Sequence, residues 1–223
     1  MLPSTRPPST PAPLVWTESG MLVCGAERFD PWALVWCPLV DDVTEVVRSV
    51  SPVEALALLT ASGRMRRVPV GIIGPKNANA EQEIVAEALG RAFAQLGLTL
   101  LTGGRKGVME AASRGAFSAG GVTIGIIPDD EWDTANPYVT IPLATGLGPA
   151  RNAVVARACE VLVAVGGEYG TLSEMAFGMH FNRLVLALLN APSVPGVLVC
   201  ETVEDVLPHV AARLLRLDRA TPV

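Results

Sequence analysis

The chain has 223 residues, half of them hydrophobic and 17% charged, with 17 Lys and Arg against 22 Asp and Glu, a net charge of -5 and a pI of about 5.1. That length holds one large domain, or one domain with an appendage, and is enough to bury a sizeable core. The acidic balance excludes a general nucleic-acid or membrane-surface binder, since both need a basic face to neutralise phosphate charge, so any anion site must be local.

Residues 1–13, MLPSTRPPSTPAP, carry five prolines and four Ser or Thr and have no apolar run, which predicts a disordered leader and not a secretory signal. The expected location is the cytoplasm. Residues 14–66 read as a small appendage. Within it, VWTESGMLVCG predicts a hairpin around Glu18-Ser19-Gly20, and Ser51-Pro52-Val53-Glu54 is a helix start with a serine cap, a proline at the first position and a glutamate at the third, stopped by Gly63. Trp16, Trp32 and Trp36 lie here, but no catalytic constellation does, so packing or dimerisation is the expected role.

From Val68 the pattern becomes strand, turn, helix, repeated, and residues 67–223 are assigned to one domain. Apolar runs at Val68 to Ile73, Leu98 to Leu101, Val122 to Ile127, Val139 to Ile141, Val161 to Val165, Leu184 to Leu188 and Val197 to Val199 predict strands. Helices are expected over 81–95, 107–119, 149–159, 171–180 and 202–216. Near-continuous apolar strands alternating with amphipathic helices predict an α/β fold, a three-layer sandwich of Rossmann-like type around a mostly parallel sheet. Because every strand and helix unit lies from Val68 onward, the appendage is expected to be dispensable for the core.

Two strand ends carry the chemistry. Val161 to Val165 empties onto GGEYGTLSE, Gly166 to Glu174, where Gly166, Gly167 and Gly170 let backbone N–H groups approach an anion. A helix starting near Thr171 adds its positive dipole end, and the Thr171 hydroxyl adds a donor. Upstream, LLTGGRKGVMEAASRGA places Gly103, Gly104 and Gly107 at a second such turn, and the preceding unit ends its strand at Gly74. In an open parallel sheet these turns share one edge and face one crevice at a topological switch point. Neither GxxxxGK[ST] nor GxGxxG occurs, which removes the usual support for ATP hydrolysis and for NAD chemistry. Arg151 opens a helical segment, a place the helix dipole does not favour for a cation, so its guanidinium is a candidate to bind phosphate or carboxylate; a pairing with Glu160 is the alternative. Glu174, one turn into its helix, is the candidate acid or base. Its alternative is simple complementarity to the helix dipole.

Cysteines 24, 37, 159 and 200 form no CxxC pair and read as buried free thiols, and the run Asp129, Asp130, Glu131, Asp133 reads as a solvated loop, so no metal is expected. His180 and His209 are unpaired in the sequence and read as packed or exposed.

The three segments GGRKGVMEAASRGAFSAGGVTIGIIP, ANPYVTIPLATGLGPARN and GGEYGTLSE together resemble the Rossmann-like superfamily of the Lonely Guy phosphoribohydrolases, proteins often labelled lysine decarboxylase-like. The likeness is closer to its molybdenum-cofactor carrier branch and covers about Val68 to Leu217. In the hydrolases a PGGxGTxxE motif and an upstream arginine serve the substrate. Glu174, Thr171 and Arg151 fall on the glutamate, threonine and arginine, while Gly166 replaces the proline, Glu168 a glycine and Asn152 the lysine after the arginine.

The resemblance implies a homo-oligomer that binds a phosphorylated small molecule at Gly74, Gly103, Gly104, Gly107, Arg151, Asn152, Gly166, Gly167, Gly170 and Thr171. No cofactor is required, and the bound molecule it implies is the molybdenum cofactor or a nucleoside monophosphate. Two functions stay open: a carrier of a phosphorylated pterin or nucleotide-like ligand, or a phosphoribohydrolase in which Glu174 and Arg151 are catalytic.

Overall fold

The computed structural model describes residues 12–40 and 47–218, so the leader expected at 1–13 lies almost wholly outside the described residues. The appendage is more than a hairpin and a helix. Strands β1 (Leu14–Thr17), β2 (Leu22–Cys24), β3 (Glu27–Asp30), β4 (Val35–Pro38) and β5 (Val47–Ser49) form an antiparallel sheet in the order β4-β3-β2-β1-β5. The expected hairpin is its β1/β2 pair, with Val15 opposite Val23. Helix α1 (Pro52–Ala61) follows, held by a capping box in which Ser51 Oγ accepts from the Glu54 N–H and the Glu54 carboxylate accepts from the Ser51 N–H.

The remaining chain alternates strand and helix: β6 (Val70–Ile73), α2 (Ala80–Gln95), β7 (Leu100–Thr102), α3 (Val108–Ser118), β8 (Thr123–Ile127), β9 (Ile141–Ala144), α4 (Arg151–Ala158), β10 (Val161–Val165), α5 (Tyr169–His180), β11 (Leu184–Leu188), β12 (Leu198–Val199) and α6 (Val203–Leu214). The seven strands form one sheet in the order β12-β11-β10-β6-β7-β8-β9, with every pairing parallel. This is the three-layer α/β arrangement anticipated from the strand and helix pattern.

All five residues of β10 are buried, because each of its faces meets a helix layer. Val161, Val163 and Val165 pack with Leu89, Phe93, Val108 and Val210 on one side; Leu162 and Ala164 pack with Val155 and Met175 on the other. On the first side α2 and α3 cross almost backbone to backbone. A Cβ added at Gly90 would lie 2.1 Å from the Ala112 carbonyl oxygen, and one at Gly115 would lie 2.0 Å from that of Glu87.

The strand expected at Val139 to Ile141 begins at Ile141 and runs on to Ala144. Val139 instead sits in a turn closed by its N–H to the Asn136 carbonyl, and its side chain fills the space left by the missing side chain of Gly125. The cysteines also need correction: only Cys159 and Cys200 are buried, while Cys24 and Cys37 are partly exposed, and all four are free.

The appendage does not stand apart from the sheet. Leu22, Phe29, Leu56 and Leu59 belong to the same buried cluster as Leu98, Leu214 and Leu215. Trp36 Nε1 donates to the Leu215 carbonyl at 2.8 Å, and Thr60 Oγ1 donates to the Leu96 carbonyl at 2.7 Å. Trp16 and Trp36 pack against this cluster, whereas Trp32 is exposed with the Arg66 guanidinium 4.9 Å over its ring.

Candidate functional site

Strand order reverses at β6, whose neighbours are β10 on one side and β7 on the other, and the crevice expected at such a switch point is present. A cleft of about 440 Å³ opens beyond the carboxyl ends of the strands. It is lined by Gly74, Pro75 and Lys76 after β6, Arg105 and Met109 after β7, Pro128 and Asp129 after β8, Gly148, Pro149, Arg151 and Asn152 before and in α4, and Glu168, Gly170, Thr171 and Glu174 after β10. Its size is that of a small-molecule site.

Arg151 and Glu174 form the floor. Arg151 Nη1 donates to Glu174 Oε1 at 3.2 Å, and the two side chains are only 9% and 7% exposed. The alternative partner for Arg151, Glu160, is taken by Arg183 at 3.4 Å and Arg216 at 2.9 Å. Burial pushes the Glu174 carboxyl up to about 7 in spite of the nearby guanidinium, which pulls the other way. Burial likewise lowers the Arg151 guanidinium from its ordinary value, against the pull of Glu174. Both shifts have one cause: the loss of water costs these charges more than their mutual attraction returns. Arg151 Nε is buried without a hydrogen-bond partner, which adds to the cost of holding this guanidinium inside the protein.

The glycines divide into two groups. Gly103 makes room for Arg151, since a Cβ there would lie 2.2 Å from Nη1, and Gly107, at φ +67°, starts α3 directly against the Pro75 and Lys76 carbonyls. Gly104 is turned against Ile127 and Gly74 against Val108. Gly166 faces Gln82 and Gly167 faces Thr171, so the missing side chains of these two serve close packing inside the protein. Gly170 differs: an added Cβ would meet nothing within 4 Å, because this position faces the open cleft in the first turn of α5. There the leading N–H groups have no carbonyl one turn earlier to bond.

Thr171 is buried beneath Gly167 and lines the cleft. Asn152 also reaches the cleft wall, but its Nδ2 donates to Ser173 Oγ at 2.9 Å and to the Gly170 carbonyl at 3.3 Å, tying α4 to the start of α5.

The sequence reasoning missed three charged residues of the cleft, Lys76, Arg105 and Asp129, while Glu168 lies in the anion loop where the motif places it. Asp129 was assigned to a solvated acidic loop, yet it pairs with Arg105 and accepts from Thr134 Oγ1 at 2.8 Å. The signal for Arg105 was its place directly after Gly103-Gly104. No group of three or more His, Cys, Asp or Glu able to hold a metal occurs among the described residues, and no described helix is long and apolar enough to cross a membrane. His180 stacks at an angle on Phe181, with ring centroids 5.3 Å apart.

Fold and cleft together define a Rossmann-like α/β protein with a buried arginine-carboxylate pair at the carboxyl edge of its sheet. The profile of the SLOG cluster 4 family matches residues 67–209, more than half of the chain, and the chain belongs to that family, within the Lonely Guy-like superfamily its motifs resemble. It is similar to the molybdenum cofactor binding protein of Rippkaea orientalis, at 34% identity and a TM-score of 0.63, over 66% of this chain and 98% of that one. It is also similar to the molybdenum cofactor carrier protein of Chlamydomonas reinhardtii, at 35% identity and a TM-score of 0.62, over 67% and 99% of the two chains. A probable cytokinin riboside 5′-monophosphate phosphoribohydrolase of Oryza sativa is 31% identical over 119 residues, 52% of this chain. The chain spans about half the length of that relative, 48%.

Proposed function

We propose that this protein binds a phosphorylated pterin or nucleotide-like molecule, as the molybdenum cofactor carrier proteins do with their cofactor, and that the phosphate lies at the first turn of α5 beside Arg151. The observation that carries this reading is the near-complete coverage of the carrier chains, 98% and 99%, against 48% of the rice phosphoribohydrolase. The residues fit such a cargo: the cleft is large enough for a bicyclic ring with a phosphate, Gly170 opens on it, and the Arg151 guanidinium lines it. The same reading divides the chain into a leader at 1–13, an appendage at 14–66 and the binding domain at 67–223, and takes the functional unit to be a cytoplasmic homo-oligomer.

One observation favours a second reading. A Glu174 carboxyl raised to about 7 is half protonated at neutral pH, which suits a general acid that assists departure of a base from a nucleoside 5′-monophosphate. Against it stand Glu168, which puts a carboxylate in the anion loop, and Asn152, which offers no charge and is tied to Ser173 and the Gly170 carbonyl.

The two readings part in one experiment. Wild-type protein and Glu174→Gln are incubated with a panel of nucleoside monophosphates while free base is followed, and binding of the panel and of molybdopterin is measured by calorimetry. The carrier reading expects binding without base release. Release by the wild type that falls about 10²- to 10⁴-fold in Glu174→Gln would overturn it in favour of the hydrolase.

A further inference from the structure

The cleft contains two arginines in different circumstances. Arg151 is committed: its pair with Glu174 is almost fully buried. Arg105 is not. Its pair with Asp129 joins the loop after β7 to the loop after β8 with side chains 38% and 41% exposed, and both residues line the cleft. An ion pair that open to water is weakly held and readily exchanged for a better acceptor.

The backbone around it is fixed. The Asn136 N–H donates to the Gly104 carbonyl at 2.9 Å, Asn136 Nδ2 donates to the Arg105 carbonyl at 3.0 Å, and the Gly146 N–H donates to the Asp129 carbonyl at 3.0 Å. The Arg105 side chain can change partners without moving this backbone. Arg105 and Arg151 also flank the same turn, because Arg151 lies against Gly103; burial is the main cause that lowers the Arg151 guanidinium, and the like charge of Arg105 adds a smaller push in the same direction, opposed by Asp129. A dianion between the two guanidinium groups would relieve that repulsion.

Resting on the ligand class argued above, we propose that Arg105 is the exchangeable anion-binding arm of the cleft, that Asp129 is the internal stand-in for the ligand's phosphate, and that this exchange selects phosphomonoesters over their dephosphorylated counterparts. Three basic residues, Lys76, Arg105 and Arg151, line the cleft with three acidic ones, Asp129, Glu168 and Glu174. A phosphate therefore gains most by displacing a carboxylate from its cation, and Asp129 holds the more exposed of the two pairs in the cleft.

The test is calorimetry of adenosine 5′-monophosphate and of adenosine with four proteins: wild type, Arg105→Met, Asp129→Asn and the double variant. The Thr134 hydroxyl keeps an acceptor in Asp129→Asn, because an asparagine carbonyl replaces the carboxylate oxygen. Arg105→Met should weaken the monophosphate about tenfold or more, the loss of one charge-assisted contact, and leave adenosine unchanged. Asp129→Asn should strengthen the monophosphate and not adenosine, and the double variant should follow Arg105→Met. If Arg105→Met does not melt cooperatively, Arg105→Lys keeps the charge and loses the planar fork, and it should retain part of the discrimination.

A monophosphate-to-adenosine ratio that is the same in all folded variants would overturn the assignment while leaving the binding function intact. Failure of every protein, wild type included, to bind either probe would sink both.

Discussion

Substituting Glu174→Gln and following stability with pH tests the electrostatics of the cleft floor directly. The carboxyl is raised from 4.5 to about 7 in the folded protein, so between those values the folded state holds a proton that the unfolded state has released. Stability changes with pH as the protons bound unfolded minus those bound folded, here a negative number, so the contribution of Glu174 declines as pH rises from about 4.5 to about 7. A shift of that size corresponds to a decline of about 3 kcal/mol, and burial of the side chain leaves little solvent screening to reduce it.

Other carboxylates act in the opposite direction. Glu160, for which burial opposes a larger pull from Arg216 and Arg183, and Asp205, held by the Thr202 hydroxyl and N–H, are both depressed and lose stability as pH falls. The quantity to measure is therefore the difference between wild type and Glu174→Gln. Urea unfolding followed by circular dichroism from pH 4 to 8 should show that difference flat below about 4.5, moving against the wild type by about 3 kcal/mol across the window, and flat again above about 7. A difference constant over the whole range would mean that Glu174 stays ionised beside Arg151 and that burial does not dominate the pair.

Gly170→Ala adds a methyl group that meets nothing in the protein at a backbone position outside the positive-φ set, so stability should hold or rise by up to about 1 kcal/mol. The methyl enters the cleft, and binding of adenosine 5′-monophosphate should weaken several-fold; unchanged affinity in calorimetry would move the phosphate away from α5. Deleting residues 1–66 should abolish cooperative melting, contrary to the expectation from the strand and helix pattern. Leu98, Leu214 and Leu215 would lose their cover at roughly 1.5 to 3 kcal/mol each, a sum comparable with the stability of a whole domain. A soluble fragment with a single sharp transition would show that the shared cluster is dispensable.

The parallel sheet was readable because strands such as β10 and β11 are apolar throughout: Val161–Val165 and Leu184–Leu188 have the bounds their composition predicts. Three strands of the appendage were not readable, because a strand such as Glu27–Asp30 buries only Phe29 and looks like a loop. Val139 misled for a related reason: an apolar residue beside a strand filled a gap at Gly125 instead of extending the ladder.

At the cleft, Arg151, Thr171, Gly170 and Glu174 were found through loop and helix-start chemistry. At Gly166 and Gly167 the composition did not reveal that the absent side chains make room for Gln82 and Thr171. Lys76, Arg105 and Asp129 come from three different loops, and only the fold brings them to one cleft.

The crossing of α2 and α3 bears on how this cleft can adapt. At Gly90 and Gly115 the two helices touch through backbone atoms, with no side chain between them to change rotamer. Gln82 on α2 packs against Gly166, and Met109 on α3 lines the cleft, so the loops after β6 and β7 are set in place like two jaws welded at the root. The loop after β8 is tied to the loop after β7 by the Asn136 N–H on the Gly104 carbonyl, and only the Arg105–Asp129 side-chain pair between them is open enough to let go. Ligands of different girth would have to be accommodated by the side chains of Arg105 and Asp129, and a larger residue at position 90 or 115 would spread the jaws from a point far from any ligand.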